Sequence, residues 1–130
     1  MDKRQNFSTG SHFEEAFGYS RVVRVGPQIF VAGTVGLDYE TRLIPPDPVA
    51  QFRNAVATIE RSLKMADAAL ADVVTLVTYV TGSDVMEAIG PELKRTFGEI
   101  RPTNTALVVA FPFPDIKLEL QVSAIAGCGA

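Results

Sequence analysis

One cysteine and one histidine are all that this chain of 130 residues offers to thiol, imidazole or soft-metal chemistry. Cys128 lies close to the C-terminus with no second thiol to pair with, which excludes an intrachain disulfide framework and makes a reducing compartment the simple expectation. It reads as a tail thiol, because a catalytic thiol needs a positioned base. His12 stands in a polar stretch beside Glu14 and Glu15, and a lone histidine without a cysteine or second histidine does not make a metal site. No metal and no cofactor are expected. Long apolar runs are missing too. No stretch approaches the roughly 20 apolar residues that cross a bilayer, and the opening "MDKRQNFSTGSHF" lacks the apolar middle of a signal peptide. The expectation is a cytoplasmic protein with no membrane partner, in which the triplet Asn6-Phe7-Ser8 matches a glycosylation acceptor by chance. Positive charge is in short supply as well. Twelve Lys and Arg against fifteen Asp and Glu leave a net charge of -3, and the basic residues are scattered, which argues against a nucleic-acid partner because nonspecific affinity comes from clustered cations. Neither "GTVG" nor "GCG" has the strand-to-helix setting of a nucleotide fingerprint. Ser20 and Thr105 have no evident base partner, which excludes a triad.

What is present is a composition of 47% apolar and 21% charged residues, that of an ordinary globular protein. With no repeat, low-complexity run or internal linker, residues 1–130 read as a single domain, of which about 1–15 form a loose lead-in. "RVVRVG" and "QIFVAGT" are two short strands around a Gly26-Pro27 turn, with a third weak strand expected over 36–43. The clearest element is a helix opened by Asp47 as N-cap and Pro48 in its first position. Val49, Phe52, Val56, Ile59, Leu63, Ala66 and Leu70 fall in steps of three and four and draw one apolar stripe. "DVVTLVTYVT" reads as a strand and "SDVMEAIGPELKRTFGEI" as a second helix capped by Ser83, kinked or divided at Gly90-Pro91. "TNTALVVAF", the turn "PFPD" and "IKLELQVSAIA" then read as a final hairpin. Two helices can cover only one face of a sheet of five to six strands. Leu118, Leu120, Val122 and Ala124 alternate with Glu119, Gln121 and Ser123, whereas "ALVVAF" is largely apolar on both sides. A second face that is part apolar and has no helix left to cover it predicts oligomerisation.

The segments "GYSRVVRVGPQIFVAGTVGLD" and "RPTNTALVVAFPFPDIKLELQVSAIA" resemble the opening hairpins and the C-terminal signature of the Rid family, also called YjgF/YER057c/UK114, and the resemblance runs over nearly the full length. It implies an α+β, chorismate-mutase-like fold assembled as a homotrimer with a small-molecule cleft at each subunit interface. It further implies hydrolysis of reactive imines and enamines such as 2-aminoacrylate to the keto acid and ammonia, without a cofactor. In the family an Arg clamps the substrate carboxylate, a Glu positions water and a Tyr lines the cleft. Glu119 falls on the Glu, Tyr19 on the Tyr, and the pair Gly33-Thr34 on a glycine turn beside the ligand. Asn104 falls on the Arg.

Glu119 and Tyr19 are therefore the candidate catalytic residues, and Asn104, Thr105, Gly33, Thr34 and Arg101 the candidate substrate-binding set. A carboxylate between apolar walls would have its pKa raised and could orient water or pass a proton to an amine; the plain alternative for Glu119 is an exposed strand residue or an intersubunit ion pair. Tyr19 could equally anchor a strand end, and Gly33 could mark a bulge. Asn104 offers donors and an acceptor but no charge. Losing a charged bidentate partner weakens carboxylate recognition by a few kcal/mol, so either the ligand lacks a carboxylate there or another cation, Arg101, Arg21 or Arg24, reaches in. Two functions follow. One is a hydrolase of an imine, enamine or related small carbonyl compound other than 2-aminoacrylate. The other is a non-catalytic metabolite-binding or regulatory trimer. The endoribonuclease activity attributed to some relatives runs against the acidic charge balance.

Overall fold

The computed structural model describes residues 2–130. Strand β1 (Arg4–Phe7) is followed by the short helix α1 (His12–Phe17), strands β2 (Val22–Val25), β3 (Gln28–Val31) and β4 (Thr34–Val35), and helix α2 (Pro48–Met65). A 3-10 turn (Leu70–Asp72) leads into β5 (Val73–Val80), helix α3 (Ser83–Phe97), β6 (Thr103–Val108) and β7 (Leu118–Ile125). The seven strands form one mixed sheet in the order β1-β2-β3-β7-β5-β6, with β4 also paired to β7. The sheet is larger than the five to six strands expected, and a third helix is present. Both additions come from the N-terminus. Arg4–Phe7 pairs antiparallel with β2, and α1 is capped by the Ser11 hydroxyl and closed by Gly18 in the left-handed region, so the lead-in expected over 1–15 is largely ordered. A polar edge strand carries too few apolar residues to announce itself by periodicity.

Three further expectations are corrected. The weak strand expected over 36–43 is absent: β4 ends at Val35, and the chain then turns back through Arg42 N–H to Asp38 O and Asp38 N–H to Leu43 O. Helix α3 runs undivided through Pro91. Gly90, with no Cβ, removes part of the usual clash before a proline, and buried Val85, Ile89 and Phe97 hold both halves on the core. The final hairpin is not one: β6 pairs parallel with β5 and β7 pairs antiparallel with it, so β5 lies between them. β5, α3 and β6 form a strand-helix-strand crossover, a longer-range pairing than two neighbouring apolar runs suggest.

The core is the seam between α2, α3 and one face of the sheet. Phe52, Val56, Ile59, Leu63 and Ala66 of the helix stripe meet Val22, Ile29, Leu76, Val80, Leu118, Leu120 and Val122, all buried. Asp47 caps α2 by accepting from Val49 N–H, with Pro48 in the first turn. Gln51 is a polar member of this seam and has no exposed surface. Its Nε2 donates to Pro45 O (2.8 Å) and Asp115 O (2.9 Å), and its Oε1 accepts from Lys117 N–H (3.0 Å). It ties α2 to the loop that precedes it and to the segment that feeds β7. Gly36 packs directly on it, since a Cβ there would stand 2.4 Å from Gln51 Cα. Among the described residues no helix is long and apolar enough to cross a membrane.

Gln51→Leu keeps the volume but strands two carbonyls and an amide in the core, and should cost about 3 kcal/mol. Urea unfolding monitored by circular dichroism checks this; a loss under about 1 kcal/mol would mean that the loops reach other donors.

Candidate functional site

Strands β3 and β4 run along the same edge of β7, separated by Ala32 and Gly33. Phe30 pairs with Ser123 and Thr34 with Leu120, so four steps on one side lie against three on the other and one residue is extra. That is the signature of a β-bulge, which interrupts the ladder and re-aims the chain. The backbone oxygens at the interruption are met by a side chain. Arg21, only 7% exposed, donates from Nη2 to Ala32 O (2.5 Å), Gly33 O (3.1 Å) and Thr34 Oγ1 (2.9 Å). Thr34 Oγ1 in turn donates to Ala32 O (2.8 Å).

Across the break lies Glu119. A Cβ at Gly33 would stand 2.9 Å from the Glu119 Cδ and Oε1, so glycine leaves the room that the carboxyl group occupies. Glu119 alternates with the buried Leu118 and Leu120 and therefore points to the face opposite the helices. It is half-buried there, and burial pushes its carboxyl above the ordinary value while the charge of Arg21 pulls against that rise. In register with it on β5 is Tyr79, whose hydroxyl donates to Gln121 Oε1 (2.7 Å). One row of the sheet thus reads Leu107, Tyr79, Glu119, Val35, and the next Thr105, Val77, Gln121. Farther along, the Thr75 and Ser123 hydroxyls are hydrogen-bonded to each other.

A second buried carboxylate stands behind Arg21. Glu14 of α1 is desolvated, which would raise its pKa, but hydrogen bonds from the Thr9 hydroxyl and Ser8, the Thr9 N–H and the charge of Arg21 outweigh this and hold it below the ordinary value. The α1 carbonyl of Glu14 also accepts from Tyr19 N–H (3.0 Å).

The residues singled out in the sequence divide between two places. Glu119, Gly33 and Thr34 come together, with Thr34 spent on the break, and Thr105 shares the Glu119 face one row away. Asn104 does not. It pairs with Leu76, which faces the helices, and its Oδ1 accepts from the buried Thr78 hydroxyl (2.9 Å). With Arg101 it lines a groove of about 340 Å³ against Leu93, Lys94, Phe97 and Pro102 at the end of α3. Arg101 takes a positive φ of 55° and closes α3 through its N–H to Phe97 O (2.7 Å). Tyr19 is exposed, and none of the Arg21 hydrogen bonds reaches it. Of the three cations considered, Arg24 is spent on Gly26 O and Ala66 O, and Arg21 is the one at Glu119. Tyr79, Gln121 and Glu14 carried no signal in the sequence, because strand register decides which residues face Glu119.

Residues 9–126 match the family described as endoribonuclease L-PSP. Among curated relatives, a RutC family protein of Pyrococcus abyssi is 30% identical over 107 residues, covering 82% of this chain and 84% of its own length. The RutC family protein UK114 of Drosophila melanogaster is 26% identical over 125 residues, covering 95% and 91%. Among solved structures, a YjgF/YER057c/UK114 family member from Mycobacterium tuberculosis superposes with a TM-score of 0.85 at 39% identity, over 95% of this chain and all of that one. The α+β, chorismate-mutase-like arrangement implied by the sequence resemblance is the fold of this chain.

Gly33→Ala should leave the fold intact, because the Cβ meets only the far end of a flexible side chain, at a cost of about 1 kcal/mol. The Glu119 carboxyl should swing toward solvent and its pKa fall toward 4.5. Thermal melting and carboxyl ¹³C NMR titration check both; an unchanged titration would show that Gly33 does not place the carboxyl.

Proposed function

The chain belongs to the endoribonuclease L-PSP family, that of the YjgF/YER057c/UK114 proteins, and we propose that it is a cofactor-free hydrolase of a small imine, enamine or related carbonyl compound. The observation that carries this reading is the half-buried Glu119 carboxylate, packed on Gly33 and pushed up in pKa on the face that no helix covers. As a base it orients a water that adds to the imine carbon. The proton it takes passes to the imine nitrogen to give the carbinolamine, whose hydroxyl proton is then carried to nitrogen as the C–N bond breaks, so that imine plus water becomes carbonyl compound plus ammonia. Tyr79 and Gln121, hydrogen-bonded to each other beside it, supply polar contacts, and Thr105 and Leu107 extend the wall. Tyr19 would approach the ligand from the chain's outer surface.

Asn104 supports a substrate other than 2-aminoacrylate. It brings no charge, and its amide oxygen is held by Thr78. A small molecule is favoured over RNA because the rows around Glu119 present Leu107, Tyr79, Thr105, Val77 and Gln121, and the isolated Lys117 and the sealed Arg21 make no basic stripe. The open face also supports assembly. Phe30 is 49% exposed and Leu107 46%, and Thr103 and Thr105 of β6, on the same face, are exposed as well. A homotrimer covering this face would bury them and turn the Glu119 surface into an interfacial cleft. A single domain over 1–130 acting in the cytoplasm completes the reading.

A coupled ammonia-release assay with freshly generated imines of several amino acids tests the chemistry. Wild type should turn over, with kcat/KM rising with pH through a carboxyl pKa above 4.5. Glu119→Gln should lose that limb and about 10²- to 10⁴-fold in rate. Its fold should not suffer: an acid whose pKa is raised in the folded state loses stability as pH climbs from the unfolded to the folded value, so removing the charge holds or raises Tm at pH 7. A silent wild type whose Tm rises with added metabolite would leave the non-catalytic binding trimer instead. For assembly, sedimentation should give three subunits for wild type and a smaller species for Leu107→Glu; a monomeric wild type would sink the trimer.

A further inference from the structure

Gly33 stands between two charges. Its α-carbon abuts the Glu119 carboxyl, and its carbonyl accepts from Arg21 Nη2. Yet Arg21 and Glu119 are not in contact as an ion pair: among the described residues the pairs within 4 Å are Arg53 and Arg95 with Glu92. Arg21 is also an expensive way to meet two carbonyls and a hydroxyl. A neutral amide would donate the same hydrogen bonds without the desolvation of a buried charge, and the Arg21 Nε is buried with no acceptor. The charge itself therefore needs a reason. The titratable and charged groups around Glu119 are Arg21 at the break, Tyr79 in register on β5, Lys117 two residues earlier on the chain, and Glu14 behind Arg21. The Glu14 oxygens are already engaged by Thr9.

We propose that Arg21 is the positioning residue of the site: through the Ala32 and Gly33 carbonyls it fixes the break on which the Glu119 carboxyl rests, and it lends that carboxyl a positive charge without closing on it. A closed pair would depress Glu119 into an inert carboxylate, and no cation at all would leave burial unopposed and push its pKa up further. An offset cation keeps the carboxyl exchangeable and free to meet water. The proposal rests on the reading of Glu119 as the working carboxylate.

The test is NMR on the full chain, following the Glu119 carboxyl ¹³C and the Arg21 Nε–Hε resonance against pH in wild type, Glu119→Gln, Arg21→Gln and Arg21→Lys. In wild type the Arg21 signal should titrate with the same midpoint as the Glu119 carbon, and Glu119→Gln should abolish that step. Arg21→Gln should move the Glu119 midpoint upward, and Arg21→Lys should recover most of the difference. An Arg21 signal flat across the Glu119 titration, or an unmoved midpoint in a folded Arg21→Gln, overturns the proposal. Should Arg21→Gln not fold, the wild-type and Glu119→Gln pair decides alone. Coupled titrations in an enzyme that releases no ammonia would sink the hydrolase reading and keep this one; turnover with uncoupled titrations would do the reverse.

Discussion

The extra residue between β3 and β4 is the constraint on which the rest of the site depends. A continuous strand along β7 would pair every backbone group and place a side chain where the Glu119 carboxyl now lies. The bulge leaves the oxygens of Ala32 and Gly33 to be satisfied from elsewhere, and Arg21 satisfies them from β2's leading edge. Glycine at 33 then clears the space. One local irregularity in hydrogen bonding thus goes together with a buried cation and a half-buried acid, and each would be costly without the other.

Around that irregularity the scaffold is conventional. Two long helices are seated on one face, and Gln51 carries the polar bookkeeping where α2 meets the loops on either side of it. A second polar fastening lies on the outside of the helices, where Glu92 binds Arg53 and Arg95 and has its pKa pulled down to about 2. A third is at the C-terminal end: Asp72 accepts from Gly129 N–H and Ala69 N–H, which hold its pKa below the ordinary value against the opposing effect of burial. These carboxylates are held down by donors, and whatever stability they add is lost as pH falls through their lowered pKa values. Among the described carboxylates with a resolved shift, Glu119 is the one that burial pushes upward, because it lacks the donors that hold the others down.

The family places the fold, but the function is argued from the site, because a fold hosts many chemistries. Asn104, held by Thr78 on the helix-facing side of β6, serves the strand pair that it belongs to. The charge near Glu119 comes instead from Arg21, which is sealed under the backbone and unable to grip a ligand side-on through Nε.

Much of this was legible in the residues themselves. The cap at Asp47, the stripe from Phe52 to Leu63 and the alternation around Glu119 are local, one-dimensional patterns, and each became the element and the face that it indicated. What failed were pairings between distant segments. The apparent final hairpin became two strands flanking β5, and the loose lead-in became an edge strand with a helix carrying a buried Glu14, because neither register nor the partner of an edge strand is written in periodicity. For the same reason Asn104 and Glu119 read as neighbours in one signature yet face opposite sides of the sheet. The sequence by itself determined which segments are amphipathic, since that depends only on the spacing of apolar side chains. Which polar groups meet was decided by the tertiary structure, since a one-residue bulge shifts every side chain beyond it to the other face and no local pattern records where that shift falls.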